Sequence, residues 1–106
     1  MSVDRPTPPD HLRDPGRALW ARVVDGFEVD AHALDVLALA CEAADRCADA
    51  RDVIDREGVT FRDRWGQPRA HPATTVESTN RLQVARLLRE MGLADADEAR
   101  PPRLTP

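Results

Sequence analysis

The segment from residue 31 to residue 57 contains neither proline nor glycine, and this uninterrupted run constrains the fold more than any other feature of the sequence. Asp30 precedes it at a position that suits a helix N-cap, and Gly58 follows it where a C-terminal glycine cap is expected. The segment therefore predicts one long helix of about seven turns. A chain dominated by such a helix is expected to be mainly α-helical.

The apolar residues of this segment recur at helical spacing and cover more than one face. The main stripe follows the i, i+3, i+4 rule and consists of Leu34, Leu37, Ala38, Cys41, Ala44 or Ala48, and Ile54. Four further residues widen the stripe in the N-terminal half: Val36, Leu39, Ala40 and Ala43. Because alanines let a neighbouring helix approach closely, we expect more than one partner helix there. The surplus apolar surface also favours self-association.

Two shorter helices are predicted, one on each side of the long one. Asp14 is a suitable N-cap with Pro15 at the first helical position, and the apolar spacing that follows ends at Gly26. The third helix is predicted from Pro72 to Met91, with Gly92 as its stop. Its expected buried side consists of Val76, Leu82, Val84, Leu87, Leu88 and Met91. This helix should form an antiparallel helical hairpin with the central one.

The segment between the second and third helices has an extended pattern instead. Residues 59–62 alternate between apolar and polar types, residues 65–67 supply a turn, and residues 68–71 resume an extended stretch before proline. A hairpin-like linker is expected. The prolines near both ends of the chain lead us to expect a disordered arm over residues 1–14, a helical domain over 15–92 and a flexible tail over 93–106.

Size and composition exclude several protein classes. A chain of 106 residues holds one small domain, and its longest apolar run falls far short of the roughly 18–20 residues that cross a bilayer. The N-terminus lacks the apolar core of a signal peptide, so we expect a cytoplasmic protein without a membrane partner. Cys41 and Cys47 are interpreted as buried thiols in a reducing compartment.

The sequence lacks the patterns that typically carry catalysis. Ser2 and Ser78 have no nucleophile motif around them, and phosphate-loop, dinucleotide-binding and zinc-ligand spacings are missing. Pairs of carboxylates at Asp45/Asp49, Asp49/Asp52 and Asp52/Asp55 could bridge a divalent metal, but a solvated acidic face balanced by neighbouring arginines is the preferred interpretation. We therefore expect no catalytic residue, cofactor or metal. His71, just before Pro72, is expected to act as an N-cap substitute or to pack on the hairpin.

Charge is distributed unevenly along the chain. The net charge is −4, yet residues 30–57 carry three arginines against eight acids, whereas residues 58–72 carry three arginines against one acid. Arg62, Arg64 and Arg69 surround Trp65 in this basic linker. Either the arginines contact phosphates while the indole stacks or wedges, or the indole covers the core while the arginines pair with the acidic helix. Both interpretations carry equal weight, and Arg13, Arg17 and Arg22 are further candidates for DNA contact.

Taken together, these features resemble the small terminase subunits of tailed double-stranded-DNA bacteriophages, over about residues 12–100. The resemblance depends on the order of several short motifs: a proline-rich start before Leu19-Trp20, Glu57-Gly58, Gly66, residues 69–72 (Arg-Ala-His-Pro) and residues 87–93 (Leu-Leu-Arg-Glu-Met-Gly-Leu). The family's Thr-Pro-Ser-type segment after the final Gly-Leu is replaced here by Ala-Asp-Ala-Asp at residues 94–97.

The resemblance implies a non-enzymatic component of a viral genome-packaging motor. Such subunits form rings, bind phage double-stranded DNA and present it to the large terminase subunit, which carries the ATPase and nuclease, in the cytoplasm of the bacterial host. The candidates for self-association on the helices are Leu34, Leu37, Cys41, Leu87 and Met91. The alternative hypothesis is a helical adaptor or regulator that binds only protein.

Overall fold

The computed structural model describes residues 5–93, which form three helices and one β-hairpin. Helix α1 spans Asp14–Gly26, α2 spans Ala31–Glu57 and α3 spans Pro72–Glu90. Strands β1, Thr60–Arg62, and β2, Pro68–Ala70, pair antiparallel between α2 and α3. The predicted mainly α-helical fold with a hairpin-like linker is confirmed.

The ends of α2 are set by the two residues that flank it in the sequence. The carboxylate of Asp30 accepts a hydrogen bond of 2.8 Å from the backbone N–H of Ala33. Gly58 adopts a positive φ of 88°, and its backbone N–H donates to the carbonyl of Ile54 at 2.7 Å. Because a side chain at such a φ is strained, glycine ends the helix here. The predicted bounds of this helix are confirmed.

The core lies where α1 and α3 pack against α2. Its largest fully buried side chains are Leu37 and Cys41 of α2, in the middle of the predicted apolar stripe. The core cluster consists of Leu12, Leu19, Trp20, Val23, Leu37, Ala40, Cys41 and Leu87. Since both α1 and α3 pack against α2, the expectation of more than one partner helix is confirmed.

The N-terminus of α1 is capped by a side chain from α2. Arg13 occupies the N-cap position without a capping side chain of its own, and Asp14 is the first helical residue. The buried carboxylate of Asp45 accepts hydrogen bonds from the backbone N–H groups of Arg13, at 2.8 Å, and Gly16, at 2.7 Å. The prediction that Asp14 caps this helix is therefore wrong, because an acceptor from another helix takes that place.

The proline-rich residues that precede α1 lie against the helices from residue 5 onward. Leu12 is only 3% exposed and belongs to the core. The guanidinium of Arg17 donates to the carbonyls of Leu12, at 2.8 Å, and Asp10, at 3.0 Å, and the indole N–H of Trp20 donates to the carbonyl of Pro6 at 3.0 Å. Hydrogen bonds from Arg17 and Trp20 to backbone carbonyls thus hold residues 6–12 against α1. The sequence predicts a disordered arm here because the segment has few apolar side chains. The predictions for residues 1–4 and 94–106 fall outside the described residues.

His71 connects the hairpin to α3. Its Nδ1 accepts a hydrogen bond of 3.0 Å from the backbone N–H of Ala73, which confirms the predicted N-cap role. Since Nδ1 accepts, Nε2 carries the hydrogen and donates to Glu57 Oε1 at 2.8 Å. This hydrogen bond is the main reason that the pKa of Glu57 is lowered. Phe61 meets the imidazole edge-to-face at a centroid distance of 6.0 Å, so His71 also packs on the hairpin.

Candidate nucleic-acid interface

The β-hairpin exposes every residue of its two strands to solvent. Phe61 pairs with Arg69 across the ladder, and Arg62 pairs with Pro68. Because successive side chains of a strand point to opposite faces, Phe61 and Arg69 share one face while Arg62 lies on the other. Trp65, in the connecting turn, is 71% exposed. The interpretation in which this indole covers the core is therefore wrong.

Asp63 organises the turn. Its Oδ1 accepts hydrogen bonds from the backbone N–H groups of Trp65, at 2.9 Å, and Gln67, at 3.0 Å, while its Oδ2 accepts from Arg69 Nε at 2.9 Å. Gly66 supplies the positive φ of 78° that the turn requires. Asp63 is not among the predicted site residues, although an aspartate two residues before the centre of a turn is a known signal for hydrogen bonding between a side chain and the backbone.

The three arginines of the hairpin have different partners. Arg62 donates to the backbone carbonyl of Gly66 at 2.6 Å, and the guanidinium of Arg64 lies over the ring of Trp65, 4.9 Å from its centroid. Neither guanidinium forms an ion pair within residues 5–93, whereas Arg69 pairs with Asp63 inside the hairpin rather than with the acidic helix. The hairpin therefore retains two positive charges that no carboxylate of its own offsets.

The candidate arginines of α1 lie elsewhere on the molecule. Arg13 pairs with Asp49 of α2 at 2.6 Å, Arg17 is bonded to the carbonyls of residues 10 and 12, and Arg22 is exposed. Asp49 lies about 12 Å along α2 from the end of that helix at Glu57, where the hairpin begins. The structure thus does not bring the two groups of arginines into one site, and it assigns Arg13 and Arg17 contacts within the chain.

Most candidates for self-association are used by the chain's own core. Leu37, Cys41 and Leu87 are buried, and Leu34 and Met91 are partly buried against the same cluster. Burial, assisted by the neighbouring carboxylates of Asp45 and Glu42, raises the pKa of the Cys41 thiol to about 12. The large apolar side chains that stay exposed on α2 and α3 are instead Leu39, Val76 and Leu82. The prediction that Val76 and Leu82 lie on the buried side of α3 is therefore wrong, since their side chains are 43% and 63% exposed.

An apolar groove of about 300 Å³ lies between α2 and α3. It is lined by Arg46, Asp49, Ala50, Val53, Ala73 and Val76. Alanines on both helices, Ala50 and Ala73, leave this space open because their side chains fill little of it. It therefore adds apolar surface to that of the exposed helical residues.

The carboxylates of α2 do not form a metal centre in the described part of the chain. Within residues 5–93, no group of three or more potential ligand side chains converges. Asp45 departs from the predicted solvated acidic face, since it is 4% exposed and its oxygens bind backbone N–H groups of α1. None of the helices described here combines the length and the hydrophobicity that a membrane crossing requires.

The hairpin should lose order in acid. The hydrogen bond from Arg69, followed by those from the backbone of residues 67 and 65, lowers the pKa of Asp63 from its ordinary value of 3.8. The carboxylate therefore stabilises the hairpin fully above pH 3.8, and this stabilisation is lost as the pH falls through the lower pKa of the folded state. Amide NMR resonances of Trp65 and Gln67, followed against pH, will show the transition. In Asp63→Asn these amides should show no such transition; an unchanged titration in the variant would contradict the assignment.

Comparison with known proteins identifies the family. The family model described as phage terminase, small subunit, matches residues 16–105 of this chain, which include all of α2, the hairpin and α3. A search of curated proteins returned no match, and a search of solved structures likewise returned none. Because the matched region covers most of the sequence, the chain belongs to the phage terminase small subunit family.

Proposed function

We propose that this protein is the DNA-recognition and regulatory subunit of a phage genome-packaging motor, and that the β-hairpin is its DNA contact. The observation that carries the proposal is an exposed hairpin with two arginines, Arg62 and Arg64, whose guanidinium groups form no ion pair within residues 5–93. Guanidinium groups bind phosphate oxygens strongly and with defined geometry. The protein has no catalytic role in this proposal and presents phage double-stranded DNA to the large terminase subunit in the host cytoplasm.

Oligomerisation is the second part of the proposal. An acidic chain with net charge −4 gains little affinity for DNA from bulk attraction, so its basic hairpins must act together. A ring of several copies would bring the hairpins together, and linked weak contacts then bind much more tightly than a single one. The exposed Leu39, Val76 and Leu82 and the groove between α2 and α3 are apolar surfaces that a neighbouring copy could cover.

The test of DNA contact is the combined replacement of Arg62, Arg64 and Arg69 by alanine. We expect the affinity for duplex DNA to fall and its dependence on salt to weaken. Each lost phosphate contact reduces the magnitude of the negative slope of log K against log salt by about 0.9. Fluorescence anisotropy with a labelled duplex, measured over a series of salt concentrations, gives both quantities. Arg69 pairs with Asp63, so Arg62→Ala with Arg64→Ala alone should account for most of the change.

The matched control removes the same charge from the helices. Arg56, Arg81 and Arg86 are exposed arginines, with exposures of 65%, 57% and 62%, and their combined replacement by alanine changes the net charge equally. This variant should keep an affinity close to that of the wild type after the small effect of overall charge. Equal losses in the two triple variants would show that bulk charge, rather than the hairpin, governs binding.

A protein-binding adaptor is the second candidate function, because apolar side chains remain exposed on α2 and α3. An adaptor should show no DNA binding at low salt and a stable complex with a partner protein. Native mass, measured by light scattering over a concentration series, separates the two functions further. A closed assembly of many subunits favours the packaging role, whereas a strict monomer at high concentration favours the adaptor.

A further inference from the structure

The indole of Trp65 is a prepared stacking surface at the tip of the hairpin. One ring face carries the Arg64 guanidinium, 4.9 Å from the ring centroid, and the side chain is still 71% exposed. The other large ring at the hairpin, Phe61, is instead engaged edge-to-face by His71. Trp65 therefore offers an open aromatic face to a ligand.

The backbone around this ring is held by the turn rather than left free. Asp63 accepts from the backbone N–H of Trp65 and from that of Gln67, and the N–H of Gly66 donates to the Asp63 carbonyl at 2.9 Å. A ring on such a backbone loses less conformational entropy when it binds than one on a flexible loop. The turn thus positions the indole in advance of binding.

The charges next to the ring indicate the chemical class of the ligand. The one carboxylate among residues 58–72, that of Asp63, is neutralised by Arg69, while Arg62 and Arg64 keep their charge. A flat π face beside two cations matches a nucleobase with its phosphates, since stacking binds the base and the guanidinium groups bind the backbone. A protein surface of opposite charge would satisfy the arginines but would leave the aromatic face without a matching partner.

Stacking on a base requires that the base has an accessible face. In a regular duplex both faces of each base are covered by its neighbours, so an inserted side chain must first open the stack at a cost of a few kcal/mol. We propose that Trp65 stacks on a base that has left the duplex stack, so that the hairpin binds DNA with an unpaired or unstacked step more tightly than regular duplex. This inference rests on the proposed function, because it requires that the hairpin contacts DNA.

The experiment compares two DNA probes that differ only in base pairing. One is a short duplex, and the other is the same duplex with a central mismatched bubble. We expect the wild-type protein to prefer the bubble, and we expect Trp65→Leu to lose about 5- to 100-fold in affinity for the bubble while changing little toward the duplex. Trp65→Phe, which keeps an aromatic face, should retain part of the preference. Phe27→Leu, which removes an aromatic ring that is 44% exposed at the end of α1, is the control and should leave both affinities unchanged.

The outcomes separate this inference from the proposed function. Equal losses of affinity for both probes in Trp65→Leu, or no loss, would overturn the stacking role even if the arginine variant still shows that the hairpin binds DNA. A Trp65→Leu variant with unchanged DNA affinity but a lower native mass would assign Trp65 to a contact between copies and would also overturn the inference. Unchanged DNA affinity in the triple arginine variant would instead show that the hairpin is not the DNA contact.

Discussion

Replacement of Asp45, the one buried charged residue among residues 5–93, by alanine is expected to lower the free energy of unfolding by about 2–3 kcal/mol. The substitution removes the acceptor of two backbone N–H groups at the start of α1, those of Arg13 and Gly16. The second of these hydrogen bonds is buried, so its donor would lose its partner without gaining water. Urea denaturation followed by circular dichroism measures the change.

Two further substitutions distinguish capping from a general loss of negative charge. Asp49→Ala removes a carboxylate one turn along the same helix, whose ion pair with Arg13 is solvent-exposed, and should cost about 1 kcal/mol or less. Asp45→Asn keeps one carbonyl oxygen as an acceptor, so its free energy of unfolding should lie between that of Asp45→Ala and that of the wild type. Equal destabilisation by Asp45→Ala and Asp49→Ala would show that the cap contributes nothing beyond charge.

Gly16→Ala is expected to destabilise the protein by about 2–3 kcal/mol, although alanine favours helices more than glycine does. A Cβ at this position would lie 2.8 Å from the Cys41 carbonyl oxygen and 2.8 Å from Asp45 Oδ2. The carbonyl belongs to the backbone of α2 and cannot rotate away, so α1 must move outward and weaken the cap. Thermal and urea denaturation both report this loss.

Gly26→Ala, at the other end of α1, is the matched control. A Cβ there meets no atom within 4 Å, so the substitution should be neutral or slightly stabilising. Combining Gly16→Ala with Asp45→Ala should cost less than the sum of the two separate effects, because the carboxylate is part of the contact that the new methyl group disturbs. Additive effects would indicate that the close approach at Gly16 and the cap are independent.

The secondary structure was predictable because its determinants lie close together in the sequence. Asp30 and Gly58 mark the ends of α2, Pro72 starts α3, and the turn residues around Gly66 reverse the chain. Each of these acts through its own φ or through a hydrogen bond to a residue within a few positions, so no knowledge of the packing is required. The family resemblance likewise depends on the order of local motifs, and the family match confirms it.

The candidate site was only partly predictable. The sequence places Trp65 among arginines, but two interpretations remain open because local sequence does not determine whether a ring in a turn faces the core or the solvent. The structure exposes the ring and pairs Arg69 with Asp63, so Arg62 and Arg64 become the main candidates for phosphate contact. The candidates for self-association also differ from those predicted, because Leu37 and Cys41 are buried in the core of the chain itself.

The number, type and order of the helices and strands in residues 5–93 could be predicted without the packing, since helix periodicity, caps and turn residues are local properties. The packing of the helices was needed to show that Asp45 caps α1, that Gly16 permits the close approach of α1 to α2 and that Leu12 belongs to the core. These roles depend on atoms that are about thirty positions apart in the chain, and hydrogen bonding and steric exclusion act over a few ångströms of space, whatever the separation in sequence.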